Sequence, residues 1–292
     1  MKRVISLVLT ALTSLMTLMA VGVPAAEAVS GPVKVVSLGD SFAAGSTLDV
    51  AYRTDALCDR SSLSYPYLLK KFSQSPSADV ACGGAVTTDL LASQTIGSTT
   101  LPAQISAVTS STKVVTLTIG GNDAGFSQLA QCLAAAMTIV NADARAAAIS
   151  SCLQPLSDPY AFAGALYTMG LRLAVALDTI QAVAPDAQIF VSDYPLLLGL
   201  NADGSCPTVP VSPSLVAIMD SANTLLNSAI HDVVMAKAAT LHVTFVDVAA
   251  SFAGHGLCST TPLINGYLHP SAAGQQVYAD VFNTAIKTTF AG

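Results

Sequence analysis

The chain has 292 residues, of which 52% are hydrophobic and 10% charged, and its formal net charge is −6. An acidic chain with only 12 Lys and Arg residues has neither the electrostatic footprint of a nucleic-acid binder nor the polybasic patch that would hold it to an anionic membrane. Glu27 is the only glutamate, so every side-chain carboxylate beyond it is an aspartate.

In chain order, Lys2 and Arg3 precede an apolar run, Val4 to Val23, and Ala26-Glu27-Ala28 fits a small-x-small cleavage site. That pattern is a secretory signal peptide. An uncleaved anchor is the rival reading, because the run is nearly long enough to span a bilayer. Thr10, Thr13, Ser14 and Thr17 interrupt it, and a cleavage site follows directly. The expectation is therefore a signal peptide over residues 1–28, export, no stable membrane anchor, and a single catalytic-size domain over 29–292. Removing the leader takes the formal charge to −7.

Lys34–Leu38 is an apolar, β-branched run that predicts a buried strand, and it runs into Gly39-Asp40-Ser41. Asp79–Cys82 is a weaker strand pattern. Val114–Ile119 is a strong one, followed by Gly120-Gly121-Asn122-Asp123. Leu166, Met169, Leu173, Leu177 and Ile180 recur at helical spacing, then Ile189–Ser192 reads as a strand. Asn201 to Pro213 reads as a long surface loop holding Cys206. A second helical pattern places Leu215, Ile218, Ala222, Leu225 and Ala229 on one face. Val243–Val246 is the last strand, and a helix capped by Ser271 runs to about Ala291, just after His269-Pro270.

Strands alternating with helices indicate a parallel sheet covered on both faces. Such sheets bind ligands beyond the carboxyl ends of their strands. Ser41 and Asn122 each follow a predicted strand, so the sheet brings them to one edge.

Cysteines stand at 58, 82, 132, 152, 206 and 258. An even number in an exported chain reads as disulfides, although six allow 15 connectivities and sequence alone does not choose among them. Sequential pairing (Cys58–Cys82, Cys132–Cys152, Cys206–Cys258) is the working expectation, since each bridge would staple one local excursion. No Cys-x-x-Cys pair occurs and the cysteines are not clustered with histidines, so no metal site is expected.

A serine nucleophile needs a base for its proton and donors for the oxyanion that forms. Each candidate has a plainer reading beside it. Ser41 suits a helix N-cap, and Gly120-Gly121-Asn122 suits an ordinary turn. His231 lies in a helical pattern and His242 before a strand, so both read as structural. His255 lies in a Gly-rich loop, either lining a site or solvating the surface. Asp40 and Asp123 read as loop braces.

Taken together, four blocks resemble the SGNH or GDSL-type hydrolases, and among them the secreted esterases and lipases of actinobacteria. These are Gly39-Asp40-Ser41, Cys82-Gly83-Gly84-Ala85, Gly120-Gly121-Asn122-Asp123 and His269-Pro270. The three-disulfide pattern of the secreted members is similar too. The resemblance implies a three-layer α/β/α fold with a five-stranded parallel, flavodoxin-like sheet. It implies Ser41 as nucleophile and His269 as base. The Ser41 amide, the Gly84 amide and the Asn122 side chain would form the oxyanion hole. No cofactor is implied; the expected partner is an ester or lipid substrate, and a monomer is expected.

One departure stands out. Most members carry Asp three residues before the histidine, and here that position is Gly266. Some secreted relatives use a main-chain carbonyl instead, so the carbonyl of Gly266, or one beside it, is expected to orient His269. Asp193 is a less favoured substitute. The competing functions are an O-acetyl polysaccharide esterase, a phospholipase, and a non-catalytic cell-envelope binding protein on the same fold. The absence of Trp tilts the choice toward acyl chains over carbohydrate.

Overall fold

A computed structural model describes residues 34–69, 77–199, 201, 205–206 and 212–291. The expected signal peptide lies outside the described residues, as does most of the expected loop at 201–213. Pro213 belongs to the helix that follows that loop.

Five parallel strands form the sheet: β1 (Val35–Gly39), β2 (Ala78–Asp79), β3 (Val114–Thr118), β4 (Gln188–Ser192) and β5 (Val243–Val246). Their spatial order is β2-β1-β3-β4-β5. This is the flavodoxin-like order, in which the winding reverses between β1 and β3 and opens a crevice at their carboxyl ends. β1 and β3 run in register from Val35↔Val114 to Gly39↔Thr118, and every residue in both is buried. That explains why both are apolar on either face, since a central strand has no solvent face; the exceptions, Ser37, Thr116 and Thr118, are buried and hydrogen-bonded. The weak strand pattern at 79–82 contracts to the two-residue edge strand β2, paired at Val36↔Ala78 and Ser37↔Asp79.

Among the described residues eight α-helices run between and after the strands: α1 (Ser41–Ala44), α2 (Tyr65–Leu69), α3 (Phe126–Met137), α4 (Ala142–Cys152), α5 (Gln154–Ser157), α6 (Pro159–Val183), α7 (Pro213–Ala238) and α8 (Ala272–Phe290). In α6 the buried face is the expected one, with Leu166, Met169, Leu173, Leu177 and Ile180 all covered. In α7 the expected face is rotated. Ile218 and Leu225 are exposed, and the buried stripe runs through Leu215, Val216, Met219, Ala222, Leu226, Ile230 and Val234. A neighbouring row of equally apolar residues competes for the core, and tertiary packing chooses between them. α6 packs on α7, and α2 packs on α8, where Tyr65 stacks on Tyr278 and Phe282. Full burial of each such side chain contributes about 1.5–3 kcal/mol.

The sequential cysteine pairs are the bonded ones: Cys58–Cys82, Cys132–Cys152 and Cys206–Cys258. Cys132–Cys152 joins α3 to α4. That excursion has a second, smaller core, in which Leu129, Ile149 and Leu153 pack with Leu198, Leu215 and Met219.

Candidate active site

β1 ends on Gly39, whose φ is +142° and whose Cβ, were there one, would lie 2.4 Å from the Thr118 carbonyl oxygen. Only glycine fits there, and the chain turns sharply into α1 with Ser41 as its first residue. Buried side chains fix this turn from three sides. Asp40 caps the helix by accepting the Phe42 N–H at 2.9 Å. The Gln104 amide accepts from the Gly39 N–H at 2.7 Å and donates to the Gly39 carbonyl at 2.9 Å. Gln275 donates to the Phe42 carbonyl at 2.9 Å.

His269 arrives from the loop before α8. Its Nε2 lies 2.8 Å from Ser41 Oγ, and its Nδ1 lies 2.8 Å from the Tyr267 carbonyl oxygen. A carbonyl only accepts, so Nδ1 carries the ring hydrogen and Nε2 presents its lone pair to the serine. Burial pushes the His269 pKa below its ordinary 6.5, against the bond to Tyr267, which raises it. The imidazole is therefore neutral at pH 7.

Of the carbonyls considered for this role, Gly266 or one beside it, the one in contact with Nδ1 is that of Tyr267, the residue beside Gly266. The reason is local. Leu268 adopts a left-handed φ of +60°. Asn265 Oδ1 accepts from the amides of Tyr267 at 2.9 Å and His269 at 3.2 Å, and the Asn265 N–H donates to the His269 carbonyl at 2.7 Å. This closed loop folds the imidazole back over Tyr267. Asp193 is occupied elsewhere: its carboxylate accepts the amides of Val248 and Ala249 at 2.8 and 3.0 Å.

Asn122 stands past the end of β3, almost fully buried, and donates one Nδ2 hydrogen to the Ala85 carbonyl at 2.7 Å. Its second hydrogen has no acceptor among the described residues, and Asn122 lines the cleft beside Ser41. Gly84 has a φ of +75° in the turn that follows Cys82. Neither its amide nor that of Ser41 has an acceptor among the described residues. The Cys58–Cys82 bridge anchors this turn, and the Gly83 N–H donates to the Cys58 carbonyl at 2.9 Å. Asp123 accepts from the Thr87 amide and hydroxyl at 2.8 and 2.6 Å, so it holds the two loops together.

A cleft opens beside Ser41 and His269, walled by Phe42, Phe126, Leu129, Leu197 and Leu226. Phe126 and Leu129 come from α3, which the sequence reading did not place at the site. Of the other histidines, His231 packs edge-on against Phe245, and His255 bonds to the Thr261 carbonyl. Neither lines this cleft. Among the described residues, no group of His, Cys, Asp or Glu is arranged to hold a metal ion.

Residues 37–277 match the model of the GDSL-like lipase/acylhydrolase family, over most of the chain. The chain belongs to that family. A lipase of Streptomyces rimosus is 34% identical over 278 residues, covering 89% of this chain and 91% of the relative. Lipase 1 of Streptomyces coelicolor is 30% identical, with 86% and 85% covered. Among solved structures, the extracellular lipase of Streptomyces rimosus superposes with a TM-score of 0.62 at 31% identity, covering 87% of this chain and 99% of its own. Phospholipase A1 of Streptomyces albidoflavus gives 0.64 at 29%, with the same coverage. A family two carbohydrate esterase from Clostridium thermocellum, at 16% identity and a TM-score of 0.51, shares the fold alone. This GDSL protein is thus an ester hydrolase by family, on the five-stranded parallel sheet expected of it. Tyr194, whose hydroxyl donates to Asp40, the residue before Ser41, is a buried neighbour of the site that lies outside the four family blocks.

Proposed function

We propose that this GDSL hydrolase cleaves neutral lipid and simple acyl esters through an acyl-enzyme on Ser41, using a Ser–His dyad in an exported protein. The carrying observation is the 2.8 Å contact between Ser41 Oγ and His269 Nε2, with the opposite ring nitrogen fixed on a backbone carbonyl.

Ser41 Oγ attacks the ester carbonyl carbon while its proton passes to His269 Nε2. The oxyanion takes hydrogen bonds from the Ser41 and Gly84 amides and the free Asn122 hydrogen. The C–O bond to the alcohol then breaks, and the alcohol leaves with the proton from Nε2. Water attacks the acyl-enzyme in the same way, gives its proton to His269, and the acid departs as Ser41 is reprotonated. Each oxyanion donor of this kind is worth roughly 10²–10³ in rate. The imidazolium that forms is met by a carbonyl and not by a carboxylate, so a neutral hydrogen bond replaces a charge-assisted one and turnover is correspondingly modest.

Aliphatic and aromatic cleft walls suit an acyl chain, in keeping with relatives named lipases. The relatives named lipases favour neutral esters, and the phospholipase A1 neighbour makes phosphatidylcholine the comparison substrate. Three disulfides and a Streptomyces relative described as extracellular support export of a domain spanning residues 29–292, after removal of residues 1–28.

The test is hydrolysis of p-nitrophenyl esters from acetate to palmitate, with tributyrin and phosphatidylcholine alongside. Ser41→Ala is expected to abolish all of it, and tributyrin to be preferred over phosphatidylcholine. A folded wild type inert on every ester would turn the reading toward a binding protein.

A further inference from the structure

Tyr194 lies two residues beyond β4, outside all four family blocks, and is 3% exposed. Its hydroxyl donates to Asp40 Oδ2 at 2.5 Å and accepts the Gly121 N–H at 3.0 Å. Asp40 immediately precedes Ser41, and Gly121 immediately precedes Asn122. One phenol thus reaches from the end of β4 across β3 to β1, and touches the residue before the nucleophile and the residue before the oxyanion donor. The ring also meets Phe42 edge-on, with centroids 4.9 Å apart, and Phe42 lies 5.1 Å from the His269 ring.

The tyrosine is itself held hard. Its N–H donates to Asn227 Oδ1 at 3.1 Å, and its carbonyl accepts from Asn227 and Asn223 at 2.7 and 3.3 Å. Gly121 leaves it room, because a Cβ there would stand 3.3 Å from the ring. The bonds run from α7 through Tyr194 to both halves of the site. Structural filling alone would be met by phenylalanine; the hydroxyl is placed where the two loops must keep their spacing.

We infer that Tyr194 is a positioning residue for ester hydrolysis: its hydroxyl ties the turn bearing Ser41 to the turn bearing Asn122 and so sets the distance from nucleophile to oxyanion donor. The inference rests on the proposed roles of Ser41 and Asn122. A displacement of about 1 Å in such a site costs on the order of 10²-fold in rate.

The experiment compares Tyr194→Phe, Asn122→Ala, the double variant and Ser41→Ala by kcat and KM on p-nitrophenyl butyrate, with thermal unfolding as the fold control. Y194F is expected to lower kcat at least tenfold and leave KM within about twofold. In the N122A background its cost should shrink at least threefold, because the donor it aligns is gone. A folded Y194F with less than a tenfold fall in kcat overturns the inference. So does the same factor in both backgrounds, which would mark a general structural effect. Activity persisting in S41A would instead defeat the site assignment itself. Should Y194F not fold, Asp40→Asn tests the same bond from its other end. The amide keeps an oxygen for the Phe42 N–H but turns an NH₂ toward the phenol oxygen, and the same tenfold threshold applies.

Discussion

Removing the Cys58–Cys82 bridge should cost both stability and rate, whereas removing Cys132–Cys152 should cost stability without slowing the chemistry. The two bridges close loops of similar length, with sequence separations of 24 and 20 residues. Loop-closure entropy then assigns each about 3–4 kcal/mol. For a domain of this size that lowers Tm by about 6–16 °C. Their neighbours differ. Cys82 leads directly into Gly83 and Gly84, and the Gly83 amide is bonded to the Cys58 carbonyl. Cys132 and Cys152 staple α3 to α4, one wall of the cleft, away from the reacting atoms. Cys58→Ala/Cys82→Ala should therefore lower kcat on p-nitrophenyl butyrate about tenfold or more, measured well below its Tm. Cys132→Ala/Cys152→Ala should keep kcat within about threefold and raise KM for long acyl esters. Equal stability losses with kcat unchanged in both would refute the claim that the bridge holds the oxyanion turn.

Burial lowers the His269 pKa, and the proposed mechanism uses the neutral ring as base. Hence kcat/KM should hold more than half its plateau at pH 6.5 and fall only below it; a midpoint at or above 6.5 would contradict this. Burial raises the Asp193 carboxyl to about 7, so its protonated form favours the fold. Its contribution is lost as pH rises from about 4 through 7, by up to roughly 4 kcal/mol at 1.36 kcal/mol per pK unit. Wild type should accordingly lose stability relative to Asp193→Asn between pH 4 and pH 8 in denaturant titrations, and a difference flat with pH would be the contrary result. Tyr267 orients His269 through its carbonyl while its side chain is 68% exposed. Tyr267→Ala should thus retain kcat within about threefold, and a loss as large as that of His269→Ala would show that the side chain matters.

The central strands were legible because buried parallel strands are apolar on both faces, and Gly39-Asp40-Ser41 and Gly120-Gly121-Asn122 sit at their ends for the same topological reason. The rotated face of α7 was not. Ile218 and Leu225 make as good an apolar row as Met219 and Leu226, and only contact with α6 and the sheet separates them. Tyr194 was half legible. The apolar segment Tyr194-Pro195-Leu196-Leu197-Leu198 reads in sequence as either an acyl-groove wall or core packing, and Tyr194 and Leu197 do line the cleft, but the hydrogen bonds of the phenol to Asp40 and Gly121, 154 and 73 residues away, leave no local trace. The acceptor for His269 fell between these cases. The missing Asp at position 266 pointed to a carbonyl, but which one depends on the left-handed turn at Leu268.

That turn alters how this site can be inherited. A carboxylate partner for the base is a single codon, present or lost in one step. The carbonyl of Tyr267 is supplied by whatever amino acid stands there, so substitution at that position leaves the acceptor in place. What replacement can disturb is the path of the chain, held by Asn265 through the amides on either side of Leu268. In the proposed dyad, drift at 267 should be silent to the base, while Asn265, which takes no part in the proposed proton transfers, carries the heritable part of its orientation.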